Sequence, residues 1–281
     1  MTDTVTQHSA RPQEITRPRR RWTAALLEFV RVDIRATVLG LIVGAVVWQL
    51  VALALDKNWL PTFTTIAGRV GDLLADSAFR SELLSSVTSM LVGFALAVLV
   101  GLAVGMAMGL NTLARYAFNI YVDVLLFIPP VVVTPVFFAI FGLSNSSVLA
   151  IIFIFSAPII AATTKSALMT VDHGLVDAAA SFGANRRQSA FLVVFRAALP
   201  MIFTGLHLGI GRAVKGMIIG QLILAVVGIG AYEARFQQAF DSVGLWSIAV
   251  IVVIVAIIFS WVVHFVDRLV NAWAYVGGEQ K

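Results

Sequence analysis

VLLFIPPVVVTPVFFAIFGLSNSSVLAIIFIFSAPIIAATT, residues 124–164, runs for 41 positions without an Asp, Glu, Lys or Arg. A helix needs about 20 apolar residues to cross a hydrocarbon core of about 30 Å, so this stretch is long enough to cross twice. At its centre stand Gly142, Leu143, Ser144, Asn145, Ser146 and Ser147, whose turn-forming residues suit a tight hairpin between two helices. Pro129, Pro130, Pro135 and Pro158 remove backbone hydrogen bonds from the flanking spans. Such breaks are tolerated where a neighbouring helix or a cavity satisfies the freed groups, which leaves kinks beside a path and kinks for packing equally open.

Three further charge-free runs flank this one: Ala36 to Leu55, Leu83 to Ala114 and Ser242 to Val263. Across the 281 residues 59% are hydrophobic and 12% charged, against roughly 25% charged in an ordinary soluble domain. A soluble core of this size has no means of burying that much apolar surface. The expected fold class is therefore an all-α integral membrane protein with about six transmembrane helices, at roughly 36–55, 87–110, 120–141, 147–168, 200–228 and 245–268. The net charge of +5 does not point to nucleic acid, because the basic residues cluster beside the apolar runs. With no cysteine, disulfides, thiolate metal sites and thiol nucleophiles are excluded. The first apolar run begins near residue 36 behind an Arg-rich stretch and is long enough to remain as an anchor, so no cleavable signal is expected.

Counting Lys and Arg in the flanking segments gives the expected orientation. With the N-terminus inside, fourteen fall on the cytoplasmic side, seven of them in the first 35 residues, and four (Lys57, Arg69, Arg80, Arg235) on the other. Both termini are then cytoplasmic, in a multi-pass membrane protein. The chain divides into a basic tail over 1–35, with an interfacial helix around Trp22 to Val32, a first span and outer loop over 36–84, a main transmembrane domain over 85–270 with a cytoplasmic loop over 169–198, and a second tail over 271–281. In the second span, Gly93, Gly101, Gly105 and Gly109 share a helix face, a spacing that suits close helix contact more than a pore.

The cytoplasmic loop carries the most specific signal. Asp172 is placed to cap a short helix, Gly183 to end it in the left-handed conformation, and Asn185 with Gln188 to form a capping box at the start of the next helix. The order Asp177-Ala178-Ala179, then Gly183, then Leu199-Pro200 resembles the signature of the membrane subunits of binding-protein-dependent ABC importers. The similarity covers about residues 85–270. It is nearest to the nitrate, sulfonate and taurine branch, through Gly205-Leu206-His207-Leu208 and Val227-Gly228-Ile229-Gly230.

What the resemblance implies is a type I ABC importer permease, which is not itself an enzyme. The loop would be a coupling helix in a cleft of a separate ATPase dimer, with Asp177, Ala178, Ala179 and Gly183 docking and Phe182 filling the cleft. ATP and Mg would be held by that ATPase, with no cofactor on this chain. The other implied partners are a periplasmic or lipid-anchored substrate-binding protein, a second permease copy and membrane lipid, with no nucleic acid. The cargo class would be a small anionic solute such as a sulfonate, taurine or nitrate. Three departures stand out: Asp177 replaces the usual Glu, Phe195-Arg196 replaces an earlier Leu-Pro so that the helix entering span five runs unbroken, and Gln221 stands where many relatives carry Glu.

Arg212 and Lys215 lie near mid-depth of span five, where a lone cation costs at least about 2.5 to 3.5 kcal/mol. Three apart, they share a helix face. They line a translocation path with Gln221 and attract an anion, or they snorkel, pair with backbone carbonyls or hold a dimer interface. His207 is more simply a packing residue. No phosphate-cradling Gly-x4-Gly-Lys-Ser/Thr pattern occurs, which favours an ATPase on another chain. A self-sufficient secondary transporter or channel is the competing expectation; it predicts internal repeats, and none is evident.

Overall fold

The computed structural model describes residues 39–271 apart from position 41, and the described chain is almost entirely helical. The expected tail over 1–35, its interfacial helix and nearly all of the second tail lie outside the described residues. The described residues fall into two compact units, divided between Asp56 and Lys57. In the first, helix α1 (Ile42–Leu55) is apolar and ends at Asp56, whose φ is +44°.

The second unit contains α2 (Phe63–Ala75), α3 (Ser77–Leu110), α4 (Thr112–Phe127), α5 (Pro130–Phe141), α6 (Asn145–Met169), α7 (His173–Ser181), α8 (Arg186–Gln188), a π-helical turn over Ser189–Val194, α9 (Phe195–Leu224), α10 (Gly228–Gln238) and α11 (Ser242–Val270). Among the described residues, four helical segments are long and apolar enough to cross a membrane: α3, α6, α11 and the run Arg186–Leu224. That run joins α8, the π turn and α9 into 39 residues, so the helix entering span five is unbroken, as Phe195-Arg196 predicts.

The span expected over 120–141 is not one helix. α4 and α5 meet at Pro129-Pro130 with a bend of 106°. Ile128 and Pro129 both take extended backbone, and Pro130 restarts a helix at a first-turn position where its missing N–H costs nothing. The Gly142–Ser144 turn then reverses the chain into α6. Gly142 sits at φ +73°, and Ser147 Oγ donates to the Gly142 carbonyl.

Helix α6 is the central post. More than half of its apolar window is buried, against less than a third in the other three spans. It lies against α3 along the glycine face read from the sequence. A β-carbon on Gly93 would sit 2.8 Å from Ile152, on Gly101 2.9 Å from Ile160, on Gly105 2.6 Å from Thr164 and on Gly109 2.7 Å from Leu168. The other side of α6 receives α9, where the β-carbon of an alanine at Gly205 would fall 2.0 Å from Thr163 Oγ1. Small residues let the backbones approach, and packing of this kind drives helix association in lipid.

Candidate functional site

Helix α7 stands at one end of the bundle, between α6 and the Arg186–Leu224 run, and local chemistry builds it. Asp172 Oδ1 accepts from Gly174 N at 2.8 Å and starts the helix. At its end Gly183 N donates to Ala180 O at 2.9 Å and Ala184 N to Ala179 O at 3.0 Å, the paired bonds of a Schellman motif, with Gly183 at φ +81°. Asn185 and Gln188 then close a reciprocal capping box, each bond 2.9 Å. All four residues act as the sequence reading expects.

The five candidate coupling residues divide by face. Asp177, Ala178, Phe182 and Gly183 are exposed, while Ala179 is half-buried on the side that packs toward the π turn. Phe182 is 92% exposed, and no residue of α7 is buried.

The three residues expected on a translocation path are not brought together. Arg212 is half-buried and Lys215 exposed on α9, and neither has a hydrogen bond or ion pair with another described residue. Lys215 continues an exposed stripe of α9 through Thr204, Leu208 and Gly211, on the side turned away from α6. Gln221, by contrast, is fully buried within the one copy of the chain described, whereas the sequence places it on a path. Its Oε1 accepts from Ser86 Oγ at 3.0 Å, and a β-carbon on Gly228 would lie 2.4 Å from its Nε2. His207 Nδ1 bonds to Phe203 O at 2.9 Å, and its ring meets His264 edge to face at 5.7 Å, a packing role.

Around Gln221 the structure holds a cluster the sequence reading lacks. Helix α9 stops at Leu224 rather than near 228, because Ala225 turns left-handed at φ +53°. Helix α10 then begins at Gly228, whose N–H donates to Glu82 Oε2 at 2.8 Å, while Ile229 N donates to Ser86 Oγ at 3.0 Å. A carboxylate from α3 thus caps the N-terminus of α10, where the helix dipole favours it and Val227 offers no side-chain oxygen. Gly230 lets α10 lie on the α9 backbone, since a β-carbon there would be 2.3 Å from Gln221 C. The glycines were visible as a pattern, but their partner Glu82 is 146 residues away.

At the far end of α10, Arg69 Nη2 reaches Asp241 Oδ2 at 3.5 Å and its guanidinium lies over Phe236, 5.6 Å from the ring centre. Burial pushes the Glu233 carboxyl above its ordinary range. Between α4 and α6, Asn119 bridges two charges, accepting from Lys165 Nζ at 2.7 Å and donating to Asp123 Oδ2 at 2.5 Å. The described residues contain no group of three or more His, Cys, Asp or Glu suited to a metal ion.

Comparison with known proteins interprets this arrangement. Residues 97–272 match the family described as binding-protein-dependent transport system inner membrane component. The chain belongs to this family. The permease is 27% identical to a nitrate import permease protein of Synechocystis sp. over 278 residues, covering 94% of this chain and 97% of that one. It is also 27% identical to a taurine transport system permease protein of Escherichia coli, covering 76% of this chain and 77% of the relative. Among solved structures, the MetNI methionine ABC transporter in an inward-facing conformation superposes with a TM-score of 0.56 at 19% identity, covering 69% of the permease and 95% of that chain. The fold is therefore that of a type I ABC importer permease, and the permease is a multi-pass membrane protein.

Proposed function

We propose that this chain is the translocating subunit of an importer for a small anionic organic solute, driven by an ATPase dimer that binds α7. What carries the proposal is the construction of α7: a helix fixed by Asp172 at one end and Gly183 at the other, with Asp177, Ala178 and Phe182 held outward and unpartnered among the described residues. One chain supplies one such helix, so an ATPase dimer calls for two copies of this chain about a two-fold axis. ATP and Mg belong to the ATPase, and this chain holds no cofactor of its own. The excess of basic residues in segments on the α7 side makes that side cytoplasmic, with both termini there. The α10 face then meets a periplasmic or lipid-anchored binding protein.

An anionic cargo is supported by Arg212 and Lys215, two cations on one helix face within the membrane and without a described counter-ion. Among the relatives, one is named for nitrate, an anion, and one for taurine, a sulfonate, while others are named for formylaminopyrimidine and riboflavin. Gly183→Asp tests the coupling role. It forces a side chain into φ +81° and should abolish cargo-stimulated ATP hydrolysis in reconstituted vesicles, while circular dichroism stays helical. Cargo-stimulated hydrolysis at the wild-type level in that variant would refute the reading.

A further inference from the structure

Phe240, in the turn between α10 and α11, combines two unfavourable features. Its ring is 91% exposed, and its backbone is left-handed at φ +52°, a conformation that residues with a β-carbon avoid. Glycine or asparagine would relieve both.

The turn is nevertheless held firmly. Phe240 N donates to Gln237 O at 3.1 Å, Asp241 N to Phe236 O at 2.9 Å, and Ser242 N to Phe240 O at 3.1 Å. Asp241 Oδ1 caps α11 by accepting from Gly244 N at 2.9 Å, and its other oxygen takes Arg69. Behind the turn, the Phe236 ring fills the place of a side chain at Gly244, where a β-carbon would lie 2.6 Å away. One phenylalanine thus anchors the turn from within, and the other is projected from a rigid mount.

The surroundings distinguish an aqueous partner from lipid. Arg235, Gln237 and Gln238, just before Phe240 in the chain, are exposed and polar. Trp246, four residues into α11, donates its indole N–H to Trp59 O at 3.1 Å. Tryptophans of this kind mark the membrane–water boundary, and four residues of helix place Phe240 at least about 6 Å to the aqueous side of that pair. A preorganised aromatic with a polar rim is the anatomy of an interface hot spot.

We infer that Phe240 is the anchor by which the solute-binding protein docks on this permease, inserting its ring into an apolar recess of that protein. The inference rests on the reading above that a binding protein approaches the α10 face. The turn that carries the ring follows α10, whose first residue, Gly228, donates its N–H to Glu82 and lies against Gln221.

The test begins with p-benzoylphenylalanine at position 240, photolysed in native cell envelopes, with the adduct identified by mass spectrometry. A solute-binding protein is the expected adduct; a phospholipid, a second copy of this chain or no adduct overturns the inference. The captured binding protein is then purified and titrated onto the permease–ATPase complex in nanodiscs, as wild type, Phe240→Gly and Phe240→Asn. The dissociation constant should rise at least roughly tenfold in both variants. Their melting temperatures should not fall, because both residues accept the left-handed conformation. Unchanged affinity, or a loss accompanied by a lower melting temperature, overturns the anchor role. If wild type itself fails to co-purify with an ATPase, the parent reading fails instead.

Discussion

An alanine at position 228 would carry its methyl group 2.4 Å from Gln221 Nε2 while holding φ at +67°. The left-handed backbone alone costs about 1–2 kcal/mol, and the contact adds to it. Gly228→Ala should therefore lower the melting temperature of the purified permease more than Gly211→Ala, whose β-carbon meets nothing within 4 Å. Glu233 supplies a prediction in pH. Burial raises its folded value above the ordinary 4.5, so the folded state holds the proton more tightly than the unfolded chain. Its favourable contribution is complete below that ordinary value and is lost as pH rises through the raised one. Glu233→Gln should raise the melting temperature at pH 7, and the gain should disappear near pH 4; a gain independent of pH would dissociate it from the carboxylate. At this scale the sequence was legible wherever chemistry is local, as at Asp172, Gly183, Asn185 and Gln188. It was silent on Ala225 and Phe240, because nothing in either residue type announces a left-handed backbone.

Among the elements, the α3–α6 pair repeats one device at four levels, and its steric margin is small throughout. Gly105→Leu would drive a branched side chain into Thr164 and the Ala161 carbonyl, both within 2.7 Å of the added β-carbon. Overpacking of this order costs about 1–3 kcal/mol, and helix separation should show as faster hydrogen exchange in α6 than in wild type. The glycine spacing announced a close helix contact but not that α6 is the partner. Run length located α3, α6, α9 and α11, although α3 begins at Ser77 rather than near 87, and Pro129-Pro130 announced a break in the third span. The size of that break was not readable, since proline fixes its own φ but the 106° depends on extended Ile128 as well. The end of α9 was misjudged by a turn because the apolar run continues past it to Val227. The π turn at Ser189–Val194 left no mark in residue type.

For the whole assembly, cargo choice and driving force can be tested apart. Arg212→Gln combined with Lys215→Gln should reduce uptake of an anionic cargo such as an alkanesulfonate into ATP-loaded vesicles by roughly tenfold or more, a loss of about 1.4 kcal/mol. Co-purification of the ATPase should persist; equal uptake would remove the two cations from the path. The Arg186–Leu224 run has a mechanical consequence as well. At about 1.5 Å per residue, its 39 residues extend nearly 60 Å, roughly twice the thickness of the hydrocarbon layer. Such a rod cannot sit wholly within the bilayer, so it either leans or protrudes. On the proposed docking of an ATPase at α7, this length would make the run a lever pivoted against α6, with the capped loop beside Phe182 as its handle and the Gln221 end as its load.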